Sequence, residues 1–315
     1  MQEQPTEHNL RGMVPRQWLE SYDHAWLTLY SIALGSRKEF KHTKRVDLAE
    51  SFVFSFWGSM NYLDASTLAL RFSPDGDFIV EGKISQRQSG EGAWIAVVQP
   101  CSSNKPKNEY NLKVTASMLA ALLISTTTRN YAYSRLFDNC LSLTKDEATA
   151  ASDVALSPHG FEKPRVSDLD VFRGAADLLA AKPAADRRRI ELSLHWYDKS
   201  LRSLGVDSFL NNWIAIETLA MPDTSNIKPI NVQLSGIYSL PVATVAERFC
   251  VGRLLDLRSK IVHDGEDLTV MAPLSDYMNR LYEDLLHCAL GINTSRLGDI
   301  ALAPSFSFGA MLHAP

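Results

Sequence analysis

Cysteine is scarce in this sequence, and its placement excludes two kinds of site. The 315 residues include four cysteines that lie far apart, with no CxxC pair and no Cys/His cluster: Cys101, Cys140, Cys250 and Cys288. Structural zinc sites and disulfide frameworks both need closely spaced ligands. Isolated cysteines are typical of free thiols in a reducing compartment. We therefore expect a cytoplasmic protein that uses neither a metal nor any other cofactor.

Long apolar runs and an excess of positive charge are also absent. The N-terminus is polar and no apolar stretch approaches membrane-spanning length, so we expect no contact with a membrane. The formal net charge is −4, which argues against bulk, non-specific binding of nucleic acid. Any nucleic acid would have to meet a local basic patch.

The common catalytic motifs are missing as well. The sequence contains no GxSxG, P-loop, GxGxxG or HExxH pattern and no internal repeat. This excludes serine hydrolases of the nucleophile-elbow type, P-loop and Rossmann nucleotide sites, and zincin metalloproteases.

The hydrophobic periodicity predicts an α+β fold whose two halves differ. Residues 1–150 read as a mixed α/β domain with a small antiparallel sheet, and a Ser-, Ala- and Pro-rich stretch at 144–164 marks the boundary. The predicted helices of this half are 17–34 and 117–136, and the predicted strands are 52–57, 68–72, 78–84, 94–98 and 110–114.

Residues 165–292 read as an all-α antiparallel four-helix bundle, and 293–315 as a C-terminal tail. A shorter helix at 167–181 precedes the bundle. The four bundle helices are predicted at 188–204, 207–220 with Asp207 as N-cap, 242–262, and 274–290, and a loop separates the second from the third.

Arginine followed closely by histidine is the pattern of most chemical interest. Arginine binds phosphate with a fixed charge, and histidine exchanges protons near neutral pH. The spacing alone decides nothing, because the sequence contains it four times, at Arg37/His42, Arg188 or Arg189/His195, Arg280/His287 and Arg258/His263.

The position on its helix distinguishes the pair Arg258/His263. Arg258 falls within the apolar arc of the third bundle helix, where a charge needs a partner or a purpose. Glu217 falls in the corresponding arc of the second helix, which suggests a buried or interfacial ion pair. His263 stands where Asp264-Gly265 predicts the helix end. The alternative is a structural Arg258–Glu217 salt bridge with His263 as an ordinary helix-end residue.

Three segments of this half resemble the ApeA-like branch of the HEPN superfamily. They are LHWYDKSL at 194–201, DSFLNNWIAIETL at 207–219, and LLDLRSKIVHDG at 254–265, which occur in the family's order on the expected helices. The resemblance covers about 185–292, and residues 1–150 match nothing comparable.

The resemblance implies a four-helix HEPN bundle and a metal-independent endoribonuclease, an activity that many members use in prokaryotic antiviral or toxin systems. It implies RNA as substrate and a homodimer with a composite active site. Arg258 and His263 would be catalytic, with Glu217 orienting the arginine and Lys260 adding positive charge. Ser259 departs from the Asn, Asp or His common in active nucleases.

Two hypotheses follow for the helical half. The first is RNA cleavage through attack by the 2′-hydroxyl. The second is a non-catalytic HEPN module that binds RNA or nucleotide or serves as a dimerisation scaffold, which the Ser259 departure and the acidic net charge favour. We expect residues 1–150 to be a sensor or regulatory domain that responds to an unknown trigger, because a constitutive nuclease would be toxic.

Overall fold

The computed structural model describes most of the chain. The described residues are 16–32, 44–48, 50–63, 69–72, 78–81, 86–103, 106–126, 133–142, 149–150, 154–158, 168–264, 270 and 272–312. They form two compact units, one of residues Met1–Ala120 with Tyr131–Arg173, the other of Ala121–Asn130 with Gly174–Pro315. The division near residue 173 lies beyond the boundary that the sequence suggested at 144–164.

The first unit is built on antiparallel sheets, and the chain as a whole is of the α+β class. Its larger sheet has the order β2-β3-β6-β1-β7 with β9 paired to β3, and a smaller sheet has the order β5-β4-β8. The strands are β1 (His24–Ile32), β2 (Lys44–Leu48), β3 (Ser51–Leu63), β4 (Ala69–Phe72), β5 (Phe78–Glu81), β6 (Gln86–Cys101), β7 (Tyr133–Ser142), β8 (Thr149–Ala150) and β9 (Val154–Pro158). The helices are α1 (Arg16–Ser21) and α2 (Glu109–Thr126).

The predicted helix at 17–34 is wrong beyond its first turn. Helix α1 ends at Ser21, and β1 begins at His24 between β6 and β7. Neighbouring residues on both faces of this central strand, including Ala25, Trp26 and Leu27, are buried. A strand buried on both faces reads as a continuous apolar run, and such a run matches helical spacing by chance.

The prediction of a strand at 110–114 is also wrong, because these residues belong to α2. That helix begins earlier than the predicted 117–136 and ends at Thr126, whereas Leu136 lies in β7. The predicted strands at 52–57 and 94–98 are confirmed within β3 and β6. Those at 68–72 and 78–84 are confirmed over 69–72 and 78–81, as β4 and β5, and their remaining residues lie outside the described part of the chain.

From Asp168 onward, where the chain passes from the first unit into the second, the described residues contain helices and no strand. The helices are α3 (Asp168–Ala180), α4 (Ala184–Arg202), α5 (Gly205–Ala220), α6 (Lys228–Tyr238), α7 (Val242–Arg248), α8 (Val251–Ser259), α9 (Ala272–Leu290) and α10 (Gly298–Ala301). A π-helical segment at Lys260–Asp264 follows α8, and a 3-10 turn lies at Gly309–Met311.

The helices predicted at 167–181, 188–204, 207–220 and 274–290 are confirmed as α3, α4, α5 and α9. The prediction of a single helix at 242–262 is wrong. The helix is interrupted at Cys250, which has a left-handed φ of 51°, and the backbone becomes π-helical after Ser259. The supposed loop before it contains α6, and α5 begins at Gly205 with Leu204 rather than Asp207 as N-cap.

Helix α9 lies at the centre of the second unit's core. It packs against α5 and α6, and every residue from Leu281 to His287 is buried. The segment predicted as a tail packs too, because Leu297 and Ala301 are fully buried and the ring of Phe306 stacks on Tyr277. Among the described residues, no helix combines the length and the apolar character that crossing a bilayer requires.

Candidate active site: Arg258 and His263

The chain changes from α-helical to π-helical geometry at Lys260, between the two residues of the candidate pair. In an α-helix, residues five positions apart point ~140° away from each other. A π-helix bonds i to i+5 and holds more residues in each turn, so the fifth residue returns toward its starting side. The π-helical segment therefore turns His263 toward Arg258 in the last turn of α8.

The guanidinium and imidazole groups meet on the surface. Arg258 Nη1 lies 3.5 Å from His263 Nε2, at the long end of hydrogen-bond distances. Arg258 is half-buried and His263 is exposed. A neutral imidazole with its proton on Nδ1 would accept this contact at Nε2. Both groups are accessible to a ligand from solvent.

No other Arg–His pair within the described residues makes such a contact. Arg280 instead binds Asp276, and the imidazole of His287 contacts the Thr294 hydroxyl at 2.6 Å. Neither Arg188 nor Arg189 contacts His195, and Arg37/His42 lies outside the described residues. Geometry thus separates Arg258/His263 from the two other patterns of similar spacing that lie within the described residues.

The neighbours of the pair leave it open. Ser259 is half-buried, while Lys260 and Val262 are exposed. The guanidinium of Arg253 lies 5.5 Å from the centre of the Phe308 ring, so its charge rests on an aromatic face. Lys260 follows Arg258 by two positions in the sequence and adds positive charge to this end of the helix.

Glu217 does not form the ion pair that the sequence suggested. Within the described residues, no carboxylate lies within ion-pair distance of Arg258, and Glu217 is half-buried rather than buried. Glu217 instead lines a groove between the start of α4 and the end of α5, together with Arg188 and Arg189.

A buried polar network joins α9 to the segment that follows it. Glu283 accepts hydrogen bonds from the Tyr197 hydroxyl at 3.0 Å and from Arg296 Nη1 at 2.9 Å. The same Arg296 nitrogen donates to the Ser125 carbonyl at 2.9 Å, and the Asp284 carboxylate accepts the backbone N–H groups of Arg296 and Leu297. The sequence reading missed this network, although two acids inside an apolar stripe are a usable signal.

Burial shifts the pKa values of two groups in this region in opposite senses. Desolvation raises the pKa of Glu283 to about 7 despite its contact with Arg296. Desolvation, assisted by the charge of Arg296, lowers the pKa of His287 to about 4. His287, which its helical position alone would place on a flank, is fully buried. Its buried ring and its contact with Thr294 place it in the packing of the second unit.

Comparisons with known proteins found no matching family model, no similar curated protein and no similar solved structure. Within the described part of the chain, no group of three or more His, Cys, Asp or Glu residues is arranged to hold a metal ion.

Proposed function

We propose that this protein is a metal-independent endoribonuclease of the HEPN type, with Arg258 and His263 as its catalytic residues. The observation that carries the proposal is the 3.5 Å contact between Arg258 Nη1 and His263 Nε2 on an exposed π-helical turn. π-Helical turns are rare and occur often at functional sites. Here the turn brings the positively charged Arg258 next to His263, which would carry the proton.

The two side chains would divide the chemistry between them. Neutral His263 would accept the proton of a 2′-hydroxyl as its oxygen attacks the adjacent phosphorus. Arg258 would stabilise the charge that develops on the phosphate oxygens. As the bond to the 5′-oxygen breaks, that oxygen takes a proton from the protonated His263 of a second copy. The products are a 2′,3′-cyclic phosphate and a 5′-hydroxyl.

The homodimer belongs to the proposal, because a single histidine cannot act as base and acid in one step. A two-fold axis near the π-helical turn would bring two copies of the pair to one cleft. Val262 is 49% exposed beside His263, so apolar surface is available there for association. Sedimentation analysis of the full chain, with Val262→Asp as the altered form, tests this part.

Substitution of His263 tests the chemistry. Full-length protein should cut single-stranded RNA in EDTA, and His263→Ala should reduce cleavage about 100-fold or more, since general acid–base catalysis contributes 10²–10⁴-fold. Asp256→Ala is the matched control and should retain most activity, because Asp256 is exposed and lies two positions before Arg258, on nearly the opposite side of α8. Cleavage that survives in His263→Ala, or that needs magnesium, contradicts the mechanism.

The non-catalytic HEPN module remains the second candidate, and two observations favour it. Ser259 occupies the position after the motif arginine, and Arg258 is half-buried. If Arg258 has only a structural role, Arg258→Ala should have a lower melting temperature than the wild-type protein. The wild-type protein itself should then not cleave RNA. If Arg258→Ala keeps its melting temperature and loses cleavage, the scaffold hypothesis fails.

A further inference from the structure

The start of α4 forms one wall of a groove of about 750 Å³ that the Arg258/His263 pair does not line. Arg188, Arg189 and Leu192 come from α4, and Glu217 and Thr218 come from the end of α5. Sites for small organic molecules span ~300–1,000 Å³, so the groove has room for a nucleotide-sized group. Its lining combines cations, a carboxylate and a hydroxyl.

The charges of α4 are unevenly matched. Each of its three acidic residues pairs with an arginine: Asp186 with Arg189, Glu191 with Arg187, and Asp198 with Arg202. Arg188 and Lys199 remain, and neither has an acidic partner among the described residues. They are separated by eleven residues, so they lie about three turns and ~16 Å apart on the same side of the helix.

Apolar and aromatic side chains occupy the space between these two cations. Leu192 is 50% exposed, and Trp196 is half-buried on the same side. The Lys199 ammonium lies 3.9 Å from the centre of a Trp196 ring, and the His195 ring meets that tryptophan edge-on. We call the set Arg188, Leu192, His195, Trp196 and Lys199 the α4 stripe.

We infer that the α4 stripe, with the groove beside it, binds single-stranded RNA and presents it to the chain as substrate. This inference rests on the proposed function and adds a binding surface to it. Arg188 would pair with one phosphate and Lys199 with another. Trp196 would stack on a base, because aromatic rings between cations are the usual means of holding an unpaired strand.

The interaction of Lys199 with Trp196 suits this role. A lysine over a tryptophan ring gains a cation–π contact while the surface is empty. When a phosphate arrives, the flexible lysine can pair with it and leave the ring face to a base. In the groove, the Glu217 carboxylate is a hydrogen-bond acceptor suited to a base amino group or a 2′-hydroxyl.

Charge complementarity selects RNA over an acidic peptide as the occupant. An acidic peptide would use the cations but would have no use for a stacking ring between them. The Glu217 carboxylate would repel the carboxylates of such a peptide. A nucleotide chain uses all three chemistries, since it offers phosphates, flat bases and hydrogen-bond donors.

The test measures binding in the absence of cleavage. Full-length His263→Ala is titrated into fluorescein-labelled single-stranded RNA, with anisotropy as the readout, at several salt concentrations. Adding Arg188→Ala or Lys199→Ala should weaken binding and reduce the salt slope by about 0.7 for each lost phosphate contact. Trp196→Ala should weaken it about 5-fold or more, whereas Trp196→Phe should keep much of the affinity.

Arg187→Ala is the matched control, because Arg187 already pairs with Glu191 and lies off the stripe. It should bind RNA like the parent. Melting temperatures verify that each variant is folded; if Trp196→Ala is not, Trp196→Phe and the two cation variants decide the matter. The proposal is overturned if the parent does not bind RNA, or if the three variants bind RNA as tightly as the control does. It is also overturned if a polyglutamate peptide displaces the labelled RNA as well as unlabelled RNA does.

Failure of this inference can be told from failure of the proposed nuclease. If the wild-type chain does not cleave RNA but the α4-stripe variants lose binding, the surface stands and the catalytic assignment falls. If the wild-type chain cleaves RNA and the stripe variants bind and cleave normally, the catalytic pair stands and the surface assignment falls.

Discussion

Arg258 and His263 differ in what they bring to a phosphodiester. The guanidinium is charged at every accessible pH and can donate two parallel hydrogen bonds to phosphate oxygens. The imidazole is exposed on the π-helical turn, and in its neutral form one ring nitrogen donates a hydrogen bond while the other accepts one. Their 3.5 Å separation places both groups within reach of one phosphate. The pair can therefore be tested one side chain at a time.

The shape of the arginine is the first test at this scale. Arg258→Lys keeps the charge but loses the planar, two-pronged donor, so we expect single-turnover cleavage to fall by about 10-fold or more with little change in melting temperature. Arg248→Lys is the control, since Arg248 is an exposed arginine in the last turn of α7. Equal activity of Arg258→Lys and wild type would contradict a role in holding phosphate.

Glu217 offers a second test, of the ion pair that does not form. Because Glu217 is half-buried and has no cation within ion-pair distance among the described residues, Glu217→Gln should change the free energy of unfolding by less than about 0.5 kcal/mol. Urea denaturation measures this. A loss of several kcal/mol would mean that Glu217 stabilises a buried arginine after all.

In the second unit, short hydrogen bonds link neighbouring helices. The Tyr238 hydroxyl at the end of α6 donates to Asp284 of α9 at 2.5 Å and accepts the Gly298 N–H of α10 at 2.7 Å. Three helices thus share one hydroxyl group. The Tyr238 ring lies against Gly298 so closely that a Cβ atom there would clash with its edge.

The glycine at this junction should not tolerate alanine. Gly298→Ala would push the Tyr238 ring away from Asp284, and we expect a loss of about 1–3 kcal/mol in the free energy of unfolding. Gly236→Ala is the matched control, because a Cβ there meets nothing and alanine favours the interior of α6 by up to about 1 kcal/mol. Chemical denaturation of both variants should show opposite signs.

Helices α4 and α5 could be predicted from the sequence because each has one buried face and one more exposed face, which gives a clean helical period. Strand β1 lies between two others with both faces buried, so its period is lost. The helix is interrupted at Cys250 and the π-helical segment begins at Lys260. Neither residue type has a local preference for such a conformation.

The candidate site was predictable only in part. Arg258 and His263 were found because each stands at an unusual place on its helix. Glu217 was misassigned because a helical arc gives a direction along α5 but not the identity of the neighbour. The network around Glu283 and Arg296 depends on a segment distant in the chain from Tyr197 and Ser125, and no local pattern encodes that meeting.

At the scale of the whole molecule, pH acts on folding through two buried groups. Folded Glu283, with a pKa of about 7, keeps a proton that the unfolded chain releases near its ordinary 4.5, so its contribution to stability is lost as pH rises from 4.5 to 7. Folded His287, with a pKa of about 4, stays neutral while the unfolded chain binds a proton below 6.5. Its contribution is lost as pH falls from 6.5 to 4.

These two contributions oppose each other, and each spans about 3 kcal/mol. The wild-type free energy of unfolding should therefore vary little between pH 4.5 and 6.5. In Glu283→Gln the histidine acts alone, and stability should fall as the solution is acidified. In His287→Asn the glutamate acts alone, and stability should rise. Urea titrations at pH 4.5, 5.5 and 6.5 measure the slopes; variant slopes of the same sign would refute this balance.

The π-helical turn has a consequence for how this site can change length. A π-turn holds one residue more than an α-helical turn, so removing Val262 would let the segment at Lys260–Asp264 relax to an α-helix. Arginine and histidine would then be four positions apart and still point within ~40° of each other. Helix type and residue spacing thus compensate for each other. A one-residue deletion here would leave the arginine and the histidine on the same side of the helix. The two side chains are brought together by helix type and residue spacing in combination, so a comparison of residue spacing alone would not recognise the pair.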